Sequence, residues 1–358
     1  MENSMKNYKK ILSVVMTAAM AASLAACGNS TANTSSTTDA AASDAAQASD
    51  AAATESGAGT SSDGKKYTIG ICQQLEHEAL DQATQGFEDA CEEKFGKDNV
   101  TFDLQNGQGE QANCATITNS FVADNVDLIL ANATTALQCA AAATDSIPIL
   151  GTSITDYATA LDISDWNGST GMNISGTSDL APIDQQEDML VELVPDVKTV
   201  GILYCSAEPN SAYQAKLFED ALKEDGIEYK EYTAADSNEI QSVTTSAISE
   251  CDALYIPTDN TMASNTEIIN NICLPAKVPV VAGEQGICAG CGIATLSISY
   301  YDIGYKAGEM AYDILENGKD ISTMEIETAP NVTKMYNPTI CEELGIEVPD
   351  EYEAIEQE

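Results

Sequence analysis

Five loops in this sequence are dense in hydroxyls, amides and carboxylates, and each directly follows a short apolar run. They are Asn132-Ala133-Thr134-Thr135, Thr152-Ser153-Ile154-Thr155-Asp156, Ser206-Ala207-Glu208-Pro209-Asn210-Ser211, Pro257-Thr258-Asp259-Asn260-Thr261 and Glu284-Gln285. In open α/β sheets, ligands bind beyond the carboxyl ends of the strands. Asn132, Thr134, Thr135, Ser153, Thr155, Asp156, Glu208, Asn210, Ser211, Thr258, Asp259, Asn260 and Glu284 are therefore candidate ligand contacts. Helix N-termini at these places would offer free N–H groups and partial positive charge to a carboxylate. Asp156, Asp259 and Glu284 would offer negative charge to an ammonium. The chemistry this suits is capture of a zwitterion between two facing lobes. Taken singly, each of these residues does the commoner job of capping a helix. The collection points to a ligand.

Catalytic readings find less to work with. His77 is the only histidine, and no G-x-S-x-G elbow accompanies it. P-loop, H-E-x-x-H and dinucleotide fingerprints are missing. His77 reads as a residue that lines or shapes the cleft. Cys288-Ala-Gly-Cys291 is a bare C-x-x-C without the second pair of a zinc site or the strand-to-helix context of a thioredoxin-like motif. It reads as a local disulfide or a chance spacing, with a redox protein as the alternative. Cys72, Cys91, Cys205 and Cys251 read as small buried hydrophobes, although an exported domain would normally pair its cysteines. No enzyme activity, cofactor or metal is expected.

The elements that must position these loops occur twice. Gly70 and Gly201, Phe87 and Phe218, and Pro148 and Pro279 are each separated by 131 residues, and both Phe residues open the tetrapeptide FEDA. One repeat of this length means two similar domains. Strands are expected at 67–72, 100–104, 128–131 and 148–151, with helices around 80–91, 111–124 and 135–143. The second half offers a helix at 185–194, strands at 199–204, 227–232, 253–256, 278–281 and 293–297, and a last helix at 302–316 ending at Asn317-Gly318. Strands alternating with helices imply parallel sheets covered on both faces. The stretch 171–179 is where a hinge is expected, and the tail after Met324 resembles a returning strand pair.

The ends and composition set the surroundings. Lys6, Lys9 and Lys10 precede an apolar stretch ending in Leu24-Ala25-Ala26-Cys27, which reads as a lipobox. Residues 1–26 would be a lipoprotein signal peptide and Cys27 the lipidated residue; two or more acyl chains anchor stably where one does not. Residues 27–64 are Ala, Ser, Thr and Asp with little to bury and read as a disordered tether. The formal net charge is −42, from 57 Asp+Glu against 15 Lys+Arg, and every cation is lysine. Nucleic acid is excluded as a partner on that charge.

At these residues the sequence resembles the substrate-binding lipoproteins of ABC transporters, of the tryptophan/tyrosine type. Gly70-Ile71-Cys72-Gln73 with His77 and Ala79-Leu80-Asp81 resembles the family's G-x-x-Q-x-x-x-H-P-A-L-D. Gly176-Thr177-Ser178-Asp179 resembles its mid-chain motif, Pro257-Thr258-Asp259-Asn260-Thr261 its P-T-D-N-T, and Tyr300 through Ala311 its late helix. The resemblance implies a type I periplasmic-binding-protein fold: an α/β architecture of two Rossmann-like lobes with parallel sheets, joined by a hinge. It also implies an aromatic amino acid held between the lobes, and adds Gln73, His77, Leu80 and Tyr300 to the ligand-binding candidates. Tyr157, Tyr213 and Tyr300 are placed to stack on a ring. The chain departs from the family at Glu78, Thr135 and Tyr157, where prolines are usual, and in an added segment, 163–170, that carries Trp166.

The expected lobes are 65–175 with 300–325, and 176–299 with 326–358. The expected function is a lipid-anchored, extracytoplasmic solute-binding protein that takes a small-molecule amino-acid ligand and delivers it to an ABC permease with its ATPase. The protein is expected to act as a monomer. A ligand-sensing protein of the same fold is the alternative.

Overall fold

The computed structural model describes residues 65–329 and 331–356. The signal segment, Cys27 and the tether lie outside the described residues. Two sheets organise the described chain.

The first lobe is built from β1 (Tyr67–Gln73), α1 (Glu78–Phe95), β2 (Val100–Asn106), α2 (Gln111–Asp124), β3 (Leu128–Asn132), α3 (Thr134–Ala143), β4 (Ile149–Ile154), α4 (Tyr157–Ala160) and β5 (Ile174–Ser178). The chain then crosses to α5 (Ile183–Leu193), β6 (Thr199–Cys205), α6 (Pro209–Asp225), β7 (Glu228–Ala234), α7 (Ile240–Ile248), β8 (Ala253–Ile256), α8 (Asn260–Ala263), α9 (Thr266–Ala276), β9 (Val280–Ala282), α10 (Gln285–Cys291) and β10 (Ala294–Ser297). It returns through α11 (Tyr300–Leu315) and β11 (Glu327–Thr328), and ends with β12 (Thr333–Tyr336), α12 (Pro338–Leu344) and β13 (Glu353–Ala354) in the second lobe.

The sheet orders are β11-β5-β4-β3-β1-β2 and β13-β12-β10-β9-β8-β6-β7, so the five strands before each crossing are laid out identically. All pairings are parallel except β10 with β12. The repeated glycines have a matching physical role. A Cβ on Gly70 would meet the Phe121 ring at 2.6 Å, and one on Gly201 would meet the Leu254 side chain at 2.6 Å. Each glycine lets a core side chain lie against its strand, which is next to the edge of its sheet. Phe87 and Phe218, also repeat partners, are fully buried under their respective sheets.

Three boundaries differ from the sequence reading. β5 runs through Ser178 inside the first sheet, so the first crossing follows it instead of splitting it at residue 175. β11 also pairs with β5, which returns 327–328 to the first lobe. The tail adds α12 and β13 where only a strand pair was expected. All ten described cysteines are free and buried. The segment 163–170 forms no helix or strand, and its Trp166 is 39% exposed. No described helix is long and apolar enough to cross a membrane.

Candidate ligand-binding site

The wall contributed by the first lobe is formed where β3 and β4 end. Asn132 is completely buried; its amide donates to the Leu80 carbonyl at 2.8 Å and to Thr84 Oγ1 at 3.0 Å. Its Oδ1 has no partner. The next residue, Ala133, has φ 84°, and α3 starts behind it with no side-chain cap. Gln74 Oε1 accepts from the Thr135 N–H at 3.0 Å, while Thr134 is buried in the same first turn. One strand over, Ser153 has φ 58° at a bulge between Gly151 and Ile154, and its buried Oγ is also without a partner. Non-glycine residues in the left-handed region at two adjacent strand ends carry strain that the surrounding packing must offset. The result is a helix start without a cap from its own N-terminal residue, its Thr135 N–H taken by Gln74, with the unpartnered Ser153 hydroxyl beside it. Helix N–H groups and a hydroxyl that can donate suit an anion, while the unpartnered Asn132 Oδ1, an acceptor, calls for a donor.

The second lobe answers with carboxylates, most of them already committed. Glu208 Oε1 accepts from Thr261 N and Oγ1 at 2.8 and 2.7 Å, and Oε2 from Asn260 N and Nδ2 at 3.1 and 2.6 Å. Asp259 accepts the Cys205 N–H at 2.7 Å and the Met262 N–H at 2.8 Å. Burial and the neighbouring Glu208 push its carboxyl above the ordinary range. Glu284 accepts the Gly286 and Ile287 N–H groups of α10, and burial raises it to about 7. Asp156 caps α4 through the Thr159 N–H at 2.7 Å. The sequence assigned Asp156, Asp259 and Glu284 to a ligand ammonium; each of them accepts helix N–H groups. Around them, Asn210 Nδ2 and Ser211 Oγ both donate to the Thr258 carbonyl, at 3.1 and 3.3 Å, and Asn210 Oδ1 is buried without a partner.

A carboxylate outside the sequence-based candidates is less committed. Asp179, at the first crossing, is 4% exposed. Its side chain accepts two hydroxyls, Thr155 Oγ1 on Oδ1 at 3.1 Å and Tyr300 OH on Oδ2 at 3.0 Å. Burial raises it to about 6. Gln214, also outside those candidates, is 1% exposed and donates across the lobes to Thr155 Oγ1 at 3.1 Å. A second contact between lobes joins His77 Nε2 to Asn260 Oδ1 at 3.0 Å, and burial holds the imidazole below its ordinary value. Nothing in residue type marked Asp179 or Gln214. Asp179 did close the Gly176-Thr177-Ser178-Asp179 motif, which was a usable signal.

The remaining candidates fall inside the lobes. Gln73 is held within the first lobe, donating to Leu75 O and Asp81 Oδ1 and accepting from Thr84 at 2.7 Å. Leu80 is core, with its carbonyl taken by Asn132. Tyr157 is buried beside Gly151 and Gly176 and donates to the Thr177 carbonyl at 3.1 Å. Tyr300 is buried on Asp179, so of the three tyrosines expected to stack only Tyr213 is partly open, next to Thr134 and Asn210. Cys288 and Cys291 are buried in α10 as thiols, and desolvation pushes both well above the usual thiol value, the reverse of a reactive pair.

Two homologous lobes with their polar strand ends facing one another define a solute-binding protein of the type I periplasmic-binding fold. The sequence matches the family described as ABC transporter substrate binding protein over residues 68–357, and the chain belongs to that family. It is 34% identical over 285 residues to a tyrosine-binding protein of Clostridioides difficile, covering 79% of this chain and 82% of the relative. A Streptococcus structure described as an ABC domain in complex with L-Trp superposes with a TM-score of 0.78 at 31% identity, covering 81% of this chain and all of that one. A ligand-free, open substrate-binding protein with adhesive properties from Clostridium difficile gives 0.63 at 34% identity, covering 82% and 100%. Family and neighbours are binding proteins, and the chain is not an enzyme.

Proposed function

We propose that this protein captures an aromatic amino acid in the cleft by lobe closure and hands it to an ABC importer. The observation that carries the reading is the pairing of the α3 start and the unpartnered Ser153 hydroxyl beside it with a buried Asp179 whose side chain accepts two hydroxyls. A carboxylate can accept from the first and an ammonium can donate to the second, and buried charge is tolerated when paired. Support for the aromatic class comes from relatives, one of them tyrosine-binding and one holding L-Trp. Closure is supported by the better superposition on the L-Trp complex than on the open, ligand-free structure, although the open one is the more identical in sequence.

Calorimetry with tryptophan, tyrosine, phenylalanine, leucine and glutamine, alongside small-angle scattering for compaction, tests ligand and closure together. Tight, compacting binding of an aromatic amino acid is expected. Tight leucine or glutamine binding with no aromatic response would overturn the ligand class. On the same reading the protein sits outside the cytoplasm on a lipidated Cys27. Cys27→Ala should then release it from the membrane fraction, and retention of that variant with no lipid mass on the wild type would remove the anchor.

A further inference from the structure

Gln214 stands in the first half of α6 with its carboxamide wholly buried between the lobes. Its Oε1 accepts the Thr258 N–H at 3.3 Å within its own lobe, and its Nε2 donates across to Thr155 Oγ1 at 3.1 Å. Thr155 in turn donates to Asp179 Oδ1 at 3.1 Å, and Tyr300 OH closes the series on Asp179 Oδ2 at 3.0 Å. One run of buried hydrogen bonds thus links the second lobe, the β4–α4 loop of the first, the crossing and the start of α11. The chemistry of the link is restrictive. The Thr155 proton is committed to Asp179, so its partner from the other lobe must donate, while the Thr258 N–H needs an acceptor from the same side chain. A primary amide does both; Lys and Arg cannot accept, and an ionised carboxylate cannot donate.

We propose that Gln214 is the positioning residue that couples occupation of Asp179 to lobe closure. This rests on the reading of the cleft as a ligand site that closes. An ammonium on Asp179 keeps that carboxylate ionised and Thr155 donating to it, which turns a Thr155 lone pair toward Gln214. The bond to Gln214 then forms only when the lobes meet. Gln214 itself touches no ligand; it sets how long the closed state lasts.

Stopped-flow binding of L-tyrosine and L-tryptophan, with melting of the ligand-free proteins, tests this. Gln214→Ala should raise koff about tenfold, as for a buried hydrogen bond whose partner is left unmade, with kon within about twofold; its ligand-free melting temperature should fall modestly, because the Thr258 N–H loses its acceptor within the second lobe whether or not the lobes meet. Thr155→Val should act in the same direction, and the double variant should be little worse than either single one. Gln214→Glu adds a readout that a packing role would not move. Its penalty relative to wild type should be large at pH 8 and shrink toward none at pH 5.5, where the protonated acid can again donate to Thr155. Asp156, Asp179, Glu208, Asp259 and Tyr300, the titratable groups around the link, are common to both proteins, and repeating the ratio in an Asp179→Asn background removes the one that titrates at about 6 beside Thr155. Independent, multiplying effects of Gln214→Ala and Thr155→Val, or a Gln214→Glu penalty equal at both pH values, would each overturn the assignment. If wild type binds neither amino acid, the ligand reading fails separately. Scattering of the ligand-free proteins then still decides: equal radii of gyration for wild type and Gln214→Ala are expected, because the bond across the lobes forms only on closure, and a larger radius for the variant would overturn the assignment.

Discussion

Asp179 shows how far a side chain's surroundings outweigh its type. Asp156, Asp259 and Glu284 carry the same charge, but backbone N–H groups at helix starts already engage them. Capping is the commonest use of a carboxylate in that position, and sequence alone cannot tell a cap from a ligand contact. If Asp179 holds the ammonium, Asp179→Asn should weaken binding by about 2–4 kcal/mol, the range for breaking a desolvated charge pair. Its pH dependence follows from burial raising the carboxyl from 3.8 to about 6. Lowering the pH through about 6 protonates Asp179, so ligand affinity falls there. The ligand-free protein moves the opposite way, because the cost of burying the charged form is present above about 6 and relieved below it. His77, held low by burial, adds the same sign to affinity, since protonating it opposes the closed state. The ligand-induced rise in melting temperature should therefore shrink between pH 7.5 and 5.0 in wild type and vary much less in Asp179→Asn. Parallel pH profiles for the two proteins would exclude Asp179 as the receptor.

Elements were far more legible than contacts, because periodicity and repetition depend on backbone pattern alone. The three equal spacings of 131 residues correspond to β1 and β6, α1 and α6, and the approaches to β4 and β9. Strand ends were legible too, and with them the loops that line the cleft. Which atoms those loops leave unpaired depends on contacts distant in sequence, such as Gln74 with Thr135 or Gln214 with Thr155, and no local pattern carries that. The late helix shows the same divide. Its glycines were visible as a motif, but their reason is the packing of α11 on α1. A Cβ on Gly304 would run into the Ala83 carbonyl oxygen, and one on Gly308 would lie 2.6 Å from Ala90 Cβ. These obstacles include backbone, so neither helix can yield by a rotamer change. Gly304→Ala should destabilise the fold by about 1–3 kcal/mol, as overpacking does. It should also weaken ligand binding, because Tyr300 rides at the start of the displaced helix. Thermal melting with and without ligand measures both, and an unchanged melting temperature would show that α11 is not held this tightly.

At the scale of the whole molecule, the proposed closure works against charge. The protein carries a formal net charge of −42, and closing the cleft brings two acidic lobes together. A groove of about 1180 Å³ between them has Glu76, Glu78 and Asp81 of the first lobe facing Glu353 and Glu356 of the second, with no lysine in its lining. Such exposed like charges repel, and salt screens them: the Debye length is about 10 Å at 0.1 M and about 30 Å at 0.01 M. The pair proposed at Asp179 is buried, so salt reaches it much less. An aromatic amino acid is a zwitterion without net charge, which leaves almost no long-range attraction for salt to weaken. The remaining salt-sensitive quantity is the repulsion that opposes closure. Raising the ionic strength from about 0.02 to about 0.3 M should therefore tighten binding, by about two- to fivefold, opposite in sign to a ligand drawn in by net charge. The gain should appear as a slower koff, since repulsion drives opening. Calorimetry and stopped-flow measurements across a salt series in a non-coordinating buffer read both. Binding that weakens steadily with salt would mean that the ligand arrives as a net cation, and the aromatic amino-acid assignment would have to be given up.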